Sequence, residues 1–340
     1  MSAILSGMGR TIVLILSLVL PLHTTAGAET PSSPAETWRS AINSEHPLVG
    51  KLIRVRDGQA VTPARLVSAA ATARFVMLGE THDNPDHHRL QAWTIRAMTA
   101  NGRTPAVAFE MLDADQAEDL AAYLDKPDAT ASGLGPAVGW AQRGWPAWSQ
   151  YQPIAAAALN AGLPIRAADV ARPIQRKVGR RGYKGAVPPA GRARLALDKP
   201  LAAPLRKRLL TDLKQAHCNM LPDSALAPMA RVQRLRDAVM ADSLIAGDEA
   251  SDDGAVLIAG RGHARADRGA PWYLRKRLDA PSILTLGIVE VFEGRTDWQS
   301  YLPDTPDGTG AAFDYIWFTP RFDDTDHCAE LRKRMRSERD

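Results

Sequence analysis

Six short apolar runs, Phe75–Leu78, Ala106–Phe109, Pro164–Ala168, Ala255–Ala259, Ile283–Ile288 and Tyr315–Phe318, recur along the chain with helical patterns between them. Consecutive strand side chains point to opposite faces of a sheet, so a run that is apolar at every position must be buried on both. Strands of that kind alternating with helices indicate an α/β fold: a largely parallel β-sheet flanked by helices. Ahead of the first run, Lys51–Val55 alternates as a half-buried strand, with Asp57-Gly58 as the turn behind it. Between Pro173 and Pro222 the rhythm breaks, and a stretch rich in Pro, Gly and Arg reads as an inserted helical subdomain at about 173–222.

The first residues are of another kind. Arg10 precedes Thr11–Leu22, an apolar stretch too short to span a bilayer, and Ala26-Gly27-Ala28 is the small-x-small pattern a signal peptidase cuts. A signal peptide over 1–28, cleaved after Ala28, is therefore expected, and with it a periplasmic location. A flexible lead-in (29–45), one domain (46–330) and a charged tail (331–340) would come next. In an exported protein the only two cysteines, Cys218 and Cys328, are expected to pair, tying the tail to the middle of the chain.

The net charge is only +4, but Arg172 to Lys214 holds thirteen Lys or Arg against Asp198 and Asp212, which leaves the rest of the chain net acidic. Such a segment suits an anionic ligand or the surface of a membrane, the outer membrane included, or is simply a solvated helical hairpin. Export argues against nucleic acid as a partner.

Chemistry-bearing residues come directly after the apolar runs. The first runs into Gly79-Glu80-Thr81-His82, the second into Glu110, the third into Asp169 and the fourth into Gly260-Arg261-Gly262-His263. In open α/β sheets ligands bind beyond the carboxyl ends of the strands, so Glu80, His82, Glu110 and His263 are expected to share one crevice. Asn84-Pro85 predicts a capped helix start, which sets Asp86, His87 and His88 in a first turn where the helix end resists protonation of imidazole. Neighbouring helical residues point roughly 100° apart, so at most one of His87 and His88 faces the crevice. The turn around Arg261 lacks the spacing of a phosphate or dinucleotide loop. Gln233, Arg236, Asp237 and Met240 form one stripe of a helix that either lines the site or faces water. Trp140, Trp145, Trp148 and Tyr151 form either a clamp for a flat ligand or a loop folded on the core. Tyr151 has the further option of binding ferric iron as a phenolate.

Several of these stretches carry a resemblance. Gly79–His88, Phe109-Glu110, Trp148-x-x-Tyr151-x-Pro153, His217-Cys218, Gln233-x-x-Arg236-Asp237-x-x-Met240, Gly260-x-Gly262-His263-Ala264-Arg265, Tyr315-x-Trp317-Phe318-Thr319-Pro320 and Cys328 resemble, in order and spacing, the ChaN-like haem-binding uptake family. The resemblance runs from about Lys51 to Cys328. Through the Gly-Glu-x-His signature the family is in turn similar to the TIKI metalloproteases and erythromycin esterases of a wider superfamily. It implies an α/β fold with an added helical region and a role in haem uptake for iron supply. It further implies a homodimer holding two stacked haems, each iron bound by a tyrosine of one subunit while a histidine of the other meets the propionates. Carried over, Tyr151 is the axial ligand and His88 the propionate contact, with His82, His263 and Arg261 as further cofactor contacts. Two departures stand out. A lipobox cysteine is lacking, and Arg261 stands where many relatives have Asn, adding a cation for Glu110 or a propionate.

Two functions are thus expected from the sequence. The first is an exported haem-binding protein. The alternative is a metal-dependent hydrolase in which Glu80, His82, Glu110 and His263 hold a divalent metal ion and activate water, although no H-E-x-x-H motif occurs.

Overall fold

A computed structural model describes residues 37–337 apart from 307 and 309. The expected signal peptide and its cleavage point lie outside the described residues. The strands are β1 (Leu52–Arg54), β2 (Gln59–Val61), β3 (Phe75–Glu80), β4 (Ala106–Asp113), β5 (Ile165–Asp169), β6 (Ala255–Gly260), β7 (Ile283–Glu290) and β8 (Tyr315–Thr319). They form one eight-stranded sheet in the order β2-β1-β8-β7-β3-β6-β4-β5. From β8 to β5 every neighbouring pair is parallel; only the β1–β2 hairpin and the β1–β8 pair are antiparallel. The expected α/β class and largely parallel sheet are what the chain adopts.

Two cores arise from the alternation along each strand. Val76 and Leu78 of β3 and Val107 and Phe109 of β4 pack on one face, under α1 (Pro63–Thr72), α2 (Pro85–Ala100), α3 (Ala117–Leu124), α4 (Ala131–Ala137) and α5 (Trp148–Asn160). Phe75, Met77, Ala106 and Ala108 face the other side. The apolar runs are continuous because both faces are covered.

The basic segment and the helices after it cover the second face. The segment forms α6 (Arg172–Arg181), α7 (Pro189–Arg194) and α8 (Ala203–Ala216), and leads into the long α9 (Asp223–Ser251). Val178 of α6 joins the second core beside Leu235, Ala238 and Met240 of α9, as do Ala264 of α10 (Arg261–Ala264) and Leu274 of α11 (Ala270–Arg277). Leu205 and Leu209 of α8 form a smaller cluster with Ala230 of α9. The expected interruption is therefore helical, and it is built onto the sheet through α9. The Cys218–Cys328 disulfide is present, with Cα atoms 5.6 Å apart. It joins the turn after α8 to α12 (His327–Ser337).

Candidate functional site

Glu80 closes β3, and the backbone around it leaves no room for bulk. A Cβ on Gly79 would lie 2.9 Å from the Cβ of Ala264 and 3.1 Å from the Cα of Arg261, so only glycine lets α10 pack against the strand end. On Glu80, Oε1 lies 2.9 Å from His82 Nδ1 and accepts a 2.6 Å hydrogen bond from the Tyr151 hydroxyl. The other oxygen, Oε2, lies 3.3 Å from His88 Nε2. Burial would raise the pKa of Glu80, but the charge of His88 and the hydrogen bonds from His82 and His88 outweigh it and hold the carboxyl well below its usual range. Burial and the adjacent Glu80 charge push the phenol of Tyr151 far above its ordinary value, so it remains a protonated donor.

Glu110 on β4 is the second centre. Its Oε2 accepts the Gly260 N–H at 2.7 Å, and its Oε1 lies 2.7 Å from Arg236 Nη2, 3.4 Å from His263 Nε2 and 4.0 Å from His82 Nε2. Although burial opposes ionisation, the charges of His263 and Arg236 hold Glu110 down at about 2. Arg236 also reaches Asp169 at the end of β5, with Nε 2.9 Å from Oδ2. Its third nitrogen, Nη1, is 3.1 Å from His263 Nε2. His263 Nδ1 in turn lies 2.6 Å from Asp237 Oδ1. His82 sits at the mouth with its side chain 36% exposed, its ring centroid 5.0 Å from that of Trp145 in an edge-on arrangement. Partial burial works against its charge, but the Glu80 hydrogen bond and the Glu110 charge raise it from 6.5 to about 9, so the ring is an imidazolium at neutral pH.

The structure thus gathers Glu80, His82, Glu110 and His263 at one sheet edge. Gln233, Arg236 and Asp237 line that edge from α9, whereas Met240 turns into the second core. The helix cap is as expected: Asn84 Oδ1 accepts from Asp86 N at 2.9 Å, with Pro85 in the first turn. Trp140 is buried in the core and packs edge-on against Trp148.

The remaining expected site residues have these surroundings. Arg261 does not pair with Glu110, because Arg236, reaching across from α9, already occupies that carboxylate. His88 is fully buried, its ring centroid 3.9 Å from that of Tyr151. His87 is a brace: Nδ1 accepts the Thr81 N–H at 2.8 Å, Nε2 lies 2.9 Å from Thr319 Oγ1, and burial keeps the ring neutral. Tyr151 has no exposed surface, and its hydroxyl donates to Glu80. Among Glu80, His82, Glu110 and His263, the Arg236 guanidinium pairs with Glu110 and reaches His263. Among the described residues, the three side chains whose ligand atoms approach within 4.8 Å of one another are Asp83, Asp323 and His327, outside this network.

Beside the network a groove of about 400 Å³ opens between α6, the end of α8 and α9. Leu213, Pro228, Met229 and Val232 form its apolar walls, Arg176 and His217 its polar rim, and Gln233 and Arg236 its boundary with the buried charges. The sequence motifs that pointed at the strand ends gave no sign of it, because its walls come from helices α8 and α9 rather than from the strand ends.

The haem-binding uptake, Tiki superfamily, ChaN family model matches residues 66–274, which span α1 to α11. The chain belongs to this family. Among solved structures the chain is similar to ChaN of Campylobacter jejuni, described with cofacial heme bound: 18% identity, a TM-score of 0.59, and coverage of 78% of this chain and 95% of that one. At that identity the likeness is one of fold, and it agrees with the α/β architecture. Weaker likenesses are to the type III effector HopBA1 (14% identity, 75% and 91% coverage, TM-score 0.41) and to the erythromycin esterase EreC in an open conformation (14%, 67% and 72%, 0.35). No curated protein matches the sequence.

Proposed function

We propose that this member of the ChaN family binds haem in the groove beside the buried network and serves haem or iron uptake outside the cytoplasm. Haem is a broad apolar plane carrying two carboxylates, and its site needs apolar walls, an axial donor and cations for the propionates. The observation that carries the reading is that the groove joins apolar walls to an exposed cation, while the charged groups of the strand-end network are paired with one another. Leu213, Pro228, Met229 and Val232 form the walls, and Arg176 is an exposed guanidinium with no ion pair among the described residues. Arg172 and Arg180 extend the same helix stripe at four-residue spacing. When bound, haem would supply the iron; the chain's part is to seat the porphyrin and neutralise its propionates. An open groove covers one porphyrin face, and stacking against the haem of a second copy would cover the other, which supports a homodimer formed on loading. Export is supported by the Arg10 to Ala28 pattern and by the disulfide.

Titration of the purified, oxidised protein with hemin tests this. A saturable Soret shift at stoichiometric hemin is expected, with the mass by light scattering rising to that of a dimer. A flat response sinks the haem reading.

One observation favours a second reading, hydrolysis without a metal. Asp237 orients His263 at 2.6 Å beside Glu110, an acid–base arrangement at a strand end. Release of product from ester or peptide substrates, abolished in His263→Ala and undiminished by chelators, would establish it.

A further inference from the structure

We propose that a second pocket, between α10, the end of β7 and the loop that follows β7, binds a small organic anion: a flat apolar group carrying a phosphate monoester. The pocket holds about 310 Å³, at the low end of the range for small-molecule sites. Val289, Phe292, Tyr301 and Phe313 give it apolar walls, and its charged groups are Arg261, Arg265 and Arg295, with no carboxylate in the lining. It shares no lining residue with the groove beside the buried network, so the assignment stands apart from the haem reading.

Arg261 is the least satisfied of the three cations. Its surroundings are desolvated enough to lower its pKa from the ordinary value, and a charge taken out of water is costly unless it is paired. Yet Arg261 makes no hydrogen bond or ion pair among the described residues. Glu290 favours its charge only from outside ion-pair distance. That carboxylate is itself engaged, since its Oε1 accepts the Asn84 side-chain amide at 2.7 Å and the Phe322 N–H at 3.0 Å. Arg265, in the same lining, is the contrast. Its Nε and Nη2 lie 2.8 and 2.7 Å from Asp267 and its Nη1 3.2 Å from Asp212, so its charge is neutralised within the frame. The donors of Arg261 remain for a ligand.

Arg295 lines the same space and is held in place. Its Nε lies 3.2 Å from Ser300 Oγ and its Nη2 2.6 Å from the Ser300 carbonyl oxygen, with the guanidinium carbon 4.7 Å from the Tyr301 ring centroid. The Tyr301 hydroxyl ties the loop together, accepting the Phe292 N–H at 2.9 Å and donating to the Arg295 carbonyl at 2.9 Å. Arg295 has no ion pair among the described residues. Two uncompensated guanidiniums in one lining suit a phosphate monoester, which carries about −1.5 to −2 charge at neutral pH and offers several acceptor oxygens to their forks. Beside them the Phe292 ring is 40% exposed, stacked on Tyr301 at 25° between planes, with the Arg321 guanidinium carbon 5.2 Å from its centroid. An exposed aromatic face among cations favours a flat apolar body over a bare anion.

Calorimetric titration of the purified, oxidised protein with phenyl phosphate, benzoate and inorganic phosphate tests this. Phenyl phosphate should bind saturably at one site per chain, more tightly than either of the others, and with the same affinity when hemin is present. Arg261→Met and Arg295→Gln should each weaken it by at least about tenfold, the lower end of what loss of a hydrogen bond between charged groups produces. Arg261→Met should also raise the urea midpoint of the free protein, because it removes an unpaired cation from a desolvated position. Phe292→Ala should weaken phenyl phosphate and leave inorganic phosphate unchanged. Absence of saturable phenyl phosphate binding, or binding unaltered in both arginine variants, overturns the assignment. So does inorganic phosphate or benzoate binding as tightly as phenyl phosphate, since the walls or the second charge would then have no role. Displacement of phenyl phosphate by hemin would give the pocket to haem, and a lowered urea midpoint in Arg261→Met would make Arg261 a structural cation; either result likewise overturns it.

Discussion

Two neighbouring regions of this molecule use the same residue types to opposite ends. At the strand ends, Glu80, Glu110, Asp169, Asp237, His88, His263 and, more partially, Arg236 are buried, and each is hydrogen-bonded or ion-paired to another of the set. In the groove next to it, Arg176 and the Nε2 of His217 have no partner among the described residues, and the walls are apolar. A buried charge is tolerated only when paired, so the first set has to satisfy itself and has little left for a ligand. The second set is half in water and can stay open. Dense clustering of reactive residues therefore marks the supporting frame here, and the uncommitted groups mark the binding surface.

The largest test of that contrast is Arg236→Ala. It leaves Glu110 and Asp169 buried without their cation and should cost about 3–5 kcal/mol of stability, read from urea unfolding. Arg176→Gln in the groove should stay within about 0.5 kcal/mol of wild type while weakening hemin binding. Equal unfolding midpoints for the two variants would erase the distinction between the regions.

Next in size is the disulfide. Replacing Cys218 and Cys328 together by Ser should remove about 2–4 kcal/mol, since the bridge closes a long loop in the unfolded chain. It should also loosen the turn that holds His217 at the groove rim and so weaken hemin binding. Loss of stability with unchanged hemin affinity would confine the bond to the frame.

The smallest expected effect is a dependence on pH. His82 has its pKa raised in the folded state from 6.5 to about 9, so its contribution is complete below pH 6.5 and is lost as the pH rises through 9. Thermal unfolding between those values should show a shallow decline, flattened in His82→Gln. The decline is shallow because the ring is 36% exposed and solvent screens its pairing. An identical slope in the variant would assign the decline to other groups.

Much of the frame was legible along the chain. Continuous apolar runs can be buried only between two layers, so the parallel sheet and its helices could be read from β3, β4 and β6. The rule that parallel strands present their carboxyl ends together brought Glu80, His82, Glu110 and His263 to one edge before any distance was known. Asn84-Pro85 announced its helix for a local reason, since a cap depends on adjacent residues alone.

The partnership of each charge could not be read along the chain. Arg236 and Glu110 are 126 positions apart and meet at 2.7 Å only because α9 crosses the ends of β4 and β5. The proximity of that one guanidinium settles that Arg261 is not the partner of Glu110. The same is true of Tyr151, whose hydroxyl meets Glu80, 71 positions away. The groove is likewise a tertiary fact, because its walls come from two separate helices. Sequence determined the layers and the edge, because periodicity and capping are short-range. Only the folded structure decided which groups neutralise one another, because pairing depends on separations of a few ångströms between residues that the chain keeps far apart.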